Sequence, residues 1–213
     1  MSGPVKTIRP YRSERRRQQA KATRDEILGA ARVLFAAPGY GATSMADVAD
    51  RAGVAVQTVY AVFGSKRGIV IALLDLIDEI GGVADNTARM RLASGPEELL
   101  ALAVHLTREL NERAGDVIGM IRAAAAVEPD LAEAVARGLE RHRRGVQRAV
   151  GALVGLGAIR TGLGEAEAVA LMGTLTSPES FATLTGDFGQ SFDDAEALIL
   201  DTLRRYLLEG GAA

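Results

Sequence analysis

TSMADVADRAGVAVQTVYAVF, Thr43 to Phe63, is the stretch that decides the fold. Val48, Ala52, Val54, Val59 and Val62 recur at spacings that give two short crossed helices one small apolar core. Ala49 is small where those helices would approach, and Gly53 supplies the positive φ of the turn between them. The pattern predicts helices over Ser44–Ala52 and Val56–Phe63. With the core positions turned inward, Val56, Gln57, Tyr60 and Ala61 face outward, the side that a helix-turn-helix offers to a major groove. A bare helical hairpin also occurs in all-α proteins that bind nothing. What tips the balance here is the surrounding sequence: a basic run upstream and Ser65-Lys66-Arg67 at a helix start downstream.

Working outward, the charge is divided. Met1 to Gly68 holds 12 Lys and Arg against 5 Asp and Glu, a net of +7, and the rest holds 13 against 22, a net of −9. The overall −2 hides this asymmetry, which joins a basic lobe suited to a polyanion to an acidic remainder. The basic run Tyr11 to Ala22, with Arg12, Arg15, Arg16, Arg17 and Lys21, has almost nothing apolar and is expected to be a flexible arm, so that residues 1–22 form an arm and 23–68 the reading domain. There is no cysteine, which excludes disulfides and thiolate metal sites. The first twenty residues lack the apolar segment of a secretory signal, and no apolar run reaches bilayer length, so a cytoplasmic protein is expected.

Nearly every periodic segment has helical spacing, which predicts an all-α chain of about nine helices with a helical domain over 69–213. Ile27, Ala30, Ala31, Leu34 and Phe35 mark a helix over Arg24–Ala37 that Pro38-Gly39 stops. Ser65 caps a helix carrying Ile69, Leu73, Leu76, Ile77 and Ile80 and ending at Gly81-Gly82. Further helices are expected over Pro96–Glu112, Asp116–Val127, Asp130–Leu156, Glu165–Leu184 and Asp193–Leu208. The last two are apolar on more than one face, including Val169, Leu171, Met172 and Leu175, then Leu198, Ile199, Leu203, Tyr206 and Leu207. A helix apolar on two sides needs two neighbours, and a second copy of the chain supplies one, giving a two-fold homodimer through these helices.

The run AARVLFAAPGYGATSMADVADRAGVAVQTVYAVFGSKRGI, within Ile27 to Ile69, resembles the N-terminal domain of the TetR family of one-component regulators. The features are LF, the G-Y-x-x-T turn, the AGV turn, T-x-Y and F-x-S-K in order, over about the first third of the chain; the remainder is similar only in size and helix content. The resemblance implies a dimer whose effector loosens DNA binding by changing the spacing of two reading heads. It implies that Thr43 caps the first hairpin helix and touches phosphate, that Thr58 and Tyr60 contact phosphate or thymine, and that Lys66 holds phosphate. From the chemistry of the side chains, Gln57 is the candidate reader of adenine, Val56 and Ala61 can pack on thymine methyls, and Arg15, Arg16 and Arg17 can follow the minor groove or the backbone. Ala55 departs from the family pattern, leaving the second helix without a Ser or Thr cap; Val62 replaces a common aromatic and Ala61 a larger polar residue, and Gly68 denies Ser65 a capping-box partner.

In the acidic part, Met120, His142, Met172 and Phe181 are candidate contacts for a small apolar effector, although ordinary core packing is the favoured reading of each, with His142 finding a local partner. His105 falls at the edge of an apolar face. Two histidines without cysteine make a metal site improbable, no cofactor motif is present, and Glu165, Glu167, Asp193 and Asp194 sit at helix starts rather than beside a nucleophile, which argues against an enzyme. Two functions remain: an effector-released repressor of a palindromic operator, or a ligand-independent architectural, nucleoid-associated dimer.

Overall fold

The computed structural model describes residues 10–80, 83–126 and 128–210. The all-α expectation holds, with an isolated bridge between Ile159 and Leu208 as the extended pairing among the described residues. The chain divides into two compact units, Met1–Ala72 and Leu73–Ala213.

The first unit is built from α1 (Pro10–Leu34), α2 (Met45–Ala52), α3 (Val56–Phe63) and the start of α4 (Lys66–Ile80). Ile27, Ala31, Phe35, Val48, Val59 and Ile69 are each almost fully buried and form its core. The expected flexible arm is instead helix where it is described: residues 10–22 are the first turns of α1. The physical reason is local, because Arg, Gln, Glu, Lys and Ala are strong helix formers and Pro10 fits a first-turn position. Residues 1–9 of the expected arm lie outside the described residues. At its other end α1 stops at Leu34, earlier than expected. Ala37 leaves helical geometry (φ −136°, ψ 25°) ahead of Pro38, and Phe35–Gly39 forms a wider turn.

The second unit contains the end of α4, then α5 (Val83–Arg91), α6 (Pro96–Ala125), α7 (Ala132–Gly155), α8 (Glu165–Leu175), α9 (Pro178–Ala182) and α10 (Phe192–Leu207). The expected stop at Gly81-Gly82 lies outside the described residues. Three differences from the sequence expectation have clear causes. The helices expected over Pro96–Glu112 and Asp116–Val127 are one, α6. Its buried stripe passes Asn111, Ala114, Val117, Ile121 and Ala124 in register, so the cost of about 1 kcal/mol for a mid-helix glycine at Gly115 does not break it. The helix expected over Glu165–Leu184 is two, because Pro178 has no amide to donate and Ser177 caps a new start at Ser180 N (3.2 Å). Finally, α5 escaped the sequence pattern altogether: Asn86 is its buried residue, and Met90 is its apolar contact with the core.

Leu100 and Val104 of α6, Val146, Val150 and Leu153 of α7, Met172 of α8, Phe181 of α9 and Ile199, Leu203 and Leu207 of α10 make the second core. Its open end is tied by Arg160 N to Leu207 O (2.7 Å) and Glu209 N to Ala158 O (3.0 Å).

Candidate nucleic-acid interface

The α2–turn–α3 segment is assembled by two helix ends. Ser44 is the N-cap of α2: its Oγ accepts the Asp47 amide (3.1 Å), while the Asp47 carboxylate accepts the Ser44 amide (2.8 Å) and hydroxyl (2.7 Å). These bonds hold the Asp47 carboxyl below its ordinary value of 3.8. At the other end Gly53 takes the left-handed conformation (φ 67°) and its amide returns to the Ala49 and Asp50 carbonyls. Gly53 thus turns the chain into α3, as the sequence predicted. Ala55 has no capping side chain, and α3 starts from the backbone alone, with Thr58 N donating to Ala55 O at 2.8 Å.

The depressed Asp47 pKa gives a testable sign. A carboxylate favoured in the folded state adds stability above its unfolded pKa and loses it as pH falls through the folded value. Ser44→Ala should therefore lower the melting temperature more at pH 7 than at pH 2, where only the bond from the Asp47 amide to the Ser44 hydroxyl is lost, and should return the Asp47 carboxyl toward the ordinary range in an NMR titration. An equal drop at both pH values would show that the ionised pair is not what caps α2.

Along α3, Val59 is buried, Gln57, Tyr60 and Ala61 are exposed, and Val56 and Thr58 are half-buried. The five expected α3 contacts are therefore brought together on one short helix, with Gln57 and Ala61 directly opposite the core. Val62 differs from expectation. Rather than filling the core it is 41% exposed, because Val59 and Phe63 already close the inward side of an eight-residue helix. Val62 follows Thr58 by one turn, and this i, i+4 spacing is the signal that places it on the same side of the helix.

Thr43 and Lys66 do not join that surface. Thr43 is buried and its hydroxyl donates to Gly39 O (2.9 Å), with Leu34 O also in reach (3.1 Å). The cap expected of Thr43 belongs to Ser44. Lys66 Nζ donates to Tyr40 O (2.8 Å) and Thr43 O (3.0 Å) and lies 4.2 Å from the Tyr40 ring centre. Its ammonium closes the 40–43 turn against α4, adding a charged donor to the Tyr40 carbonyl, which also accepts the Thr43 amide (3.3 Å), and to the Thr43 carbonyl. Ser65 caps α4 as expected, accepting the Gly68 amide (3.1 Å). Gly68 does more than deny a capping partner: a Cβ there would collide with the Phe63 carbonyl, so the α3–α4 corner closes only on glycine. Arg15, Arg16 and Arg17 are exposed on α1.

In the second unit the four expected effector contacts are not brought to one cavity. Met172 and Phe181 are packed in the core, Phe181 stacking on Phe192 at 6.3 Å. His142 Nε2 is 3.0 Å from Gly173 O, bridging α7 to α8, and Met120 is half-buried on α6. His105 pairs with Glu196 (3.0 Å). An open cleft of about 370 Å³ lies elsewhere, between Leu175, Ser180, Thr183, Leu184, Leu198 and Thr202. No group of acidic or histidine side chains among the described residues is placed to hold a metal, and no described helix is long and apolar enough to cross a membrane.

An all-α chain whose basic unit carries two short helices, the first capped by Ser44, across a left-handed glycine, with Gln57 and Tyr60 left outward, defines a helix-turn-helix protein. Residues 27–73 match the family model described as bacterial regulatory proteins, tetR family. The chain is 38% identical over 65 residues to the HTH-type transcriptional regulator TtgR of Pseudomonas putida, covering 30% of this chain and 31% of that one. It is 39% identical over 51 residues to the transcriptional repressor BdcR of Escherichia coli, covering 24% and 26%. The match thus spans about a third of the curated relatives' length or less. The fold is similar through most of its length to that of SmeT in complex with triclosan, with a TM-score of 0.72 at 21% identity over 90% of this chain and 95% of that one. The likeness in sequence to the tetR family is thus confined to residues 27–73, and the likeness in fold extends over most of the chain.

Proposed function

We propose that this protein is a transcriptional repressor that binds a palindromic operator as a homodimer and leaves it when a small apolar effector binds. The observation that carries the DNA half is the outward face of α3, Gln57, Thr58, Tyr60 and Ala61, on a unit whose sequence is strongly basic. Gln57 lies farthest from the core and its amide can pair bidentately with adenine N6 and N7, while Ala61 and Val62 present methyl groups for thymine. Tyr60 and Thr58 supply hydroxyls for phosphate, which sets register without carrying sequence information.

Dimerisation is supported by the apolar surface of α8 and α10. Leu198 and Tyr206 are exposed, Val169, Leu171 and Leu200 half-covered, and a second copy would bury them in a four-helix arrangement. The effector is supported by the triclosan complex of SmeT and the stearoyl-CoA complex of Bacillus subtilis FadR, the latter similar at a TM-score of 0.70. A small apolar molecule would occupy the α8–α10 cleft rather than the sites of Met172 and Phe181. The filled core around those two residues favours a second function, a ligand-independent architectural dimer. A compound that raises the melting temperature and weakens operator binding in parallel decides for the first.

Gln57→Ala tests the DNA half. It is expected to cost about 1–3 kcal/mol on the operator and to relax base preference at one position in each half-site. Equal weakening on operator and random duplex would remove Gln57 from sequence reading.

A further inference from the structure

The first turns of α1 have no structural work to do inside their own unit. The buried stripe of this helix begins at Ile27 and continues through Leu28, Ala30 and Ala31. Followed back toward the N-terminus in the same register, that stripe meets Thr23, Ala20, Arg16 and Ser13, which offer nothing for a core to cover. Glu14 to Ala22 are exposed on all sides. Pro10 to Ala22 therefore form a helical extension about 20 Å long, close to the rise of six base pairs, on the side of the domain where α1 begins. It carries Arg12, Arg15, Arg16, Arg17 and Lys21 against Glu14 alone.

Where the extension leaves the domain is fixed by one contact. The Arg24 guanidinium lies 5.0 Å from the centre of the Phe63 ring, so α1 emerges beside the C-terminal end of α3. The charged rod thus starts next to the proposed reading helix. Its form limits what it can do there. A helix is about 10–12 Å across with its side chains, and a B-DNA minor groove is about 6 Å wide, so the arginines cannot thread that groove as an extended arm does.

We propose that the α1 extension, Pro10 to Ala22, is a rigid outrigger that lies across the phosphates of duplex flanking the operator half-site, with Arg15, Arg16 and Arg17 neutralising them, while Lys21 pairs with Asp25 (3.1 Å). This rests on the DNA-binding function proposed above and adds its footprint: contact beyond the bases that α3 reads, made through the backbone and indifferent to sequence. Rigidity matters because a helix holds its charges at fixed distances from α3, and so rewards flanking duplex of a definite length.

The test uses the full chain and duplexes carrying an operator selected from random DNA, with either roughly two or roughly ten base pairs of flank on each side. Wild type should bind the long-flank duplex about tenfold more tightly than the short one. The triple variant Arg15→Ala, Arg16→Ala, Arg17→Ala should lose that advantage and reduce the salt slope by about 0.9 for each phosphate contact removed. Ala20→Pro keeps every charge and breaks the helix four residues past Arg16; it should also lose the flank advantage while the melting temperature of the protein stays that of wild type. An unchanged flank advantage and salt slope in the triple variant would overturn the proposal. So would full retention by Ala20→Pro together with displacement by a minor-groove ligand such as netropsin, the signature of a flexible arm. Failure of wild type to bind any duplex would instead overturn the DNA-binding function itself.

Discussion

Phe35→Ala is expected to destabilise the DNA-binding unit by about 3–5 kcal/mol, the largest effect of any single truncation considered for it. Phe35 is 1% exposed and sits where α1 gives way to the turn leading to α2. Its ring meets the Tyr40 ring edge-on, 5.2 Å between centres and at 65°. Removing it deletes the bulkiest side chain of a small core and leaves a cavity that a short turn holding Pro38 is poorly built to fill. A domain of this size has little stability to spare, so the loss should be visible as operator binding that fails before the second unit melts. Urea titration of the full chain, followed by the near-ultraviolet tyrosine signal and by far-ultraviolet circular dichroism, measures it. A change below about 1 kcal/mol would mean that this ring does not anchor the core.

Lys66→Met is expected to cost about 1.5–3 kcal/mol, and the reason is internal to the fold. Methionine keeps the length and the apolar stem but withdraws the donor from the Tyr40 and Thr43 carbonyls and the cation from the Tyr40 ring. Those carbonyls belong to the turn that delivers Ser44 to the start of α2, so operator affinity should fall through misplacement of α2 and α3. The salt dependence of binding should stay unchanged. If the melting temperature holds and the salt slope drops by about 0.9, Lys66 faces a phosphate and the internal assignment is wrong.

The helix-turn-helix was legible in the sequence because its core is small and local. Val48, Ala49, Gly53 and Val59 lie within twelve residues, and spacing alone sets which way each faces. What could not be read is whatever depends on residues far apart in the chain or on a shift of one position. Thr43 and Ser44 are adjacent hydroxyls, and only the packing of Thr43 beneath Leu34 and Gly39 makes Ser44 the cap. Lys66 turns inward toward Tyr40, 26 residues earlier, a partner no local pattern reveals. The arginine run at 15–17 lacks an apolar face and so suggests a flexible arm, yet helix propensity needs no such face. In the second unit, Met172 and Phe181 have the same apolar spacing whether they line a pocket or fill a core, and the structure places them in the core.

The central claim is that α3 reads base sequence in a repeated site. Selection of bound fragments from a random duplex pool by the full chain tests it most directly. The predicted result is an enriched inverted repeat whose half-sites each contain an A·T pair that loses its preference in Gln57→Ala. A pool that stays unenriched under conditions where the protein is folded and binds duplex would contradict it.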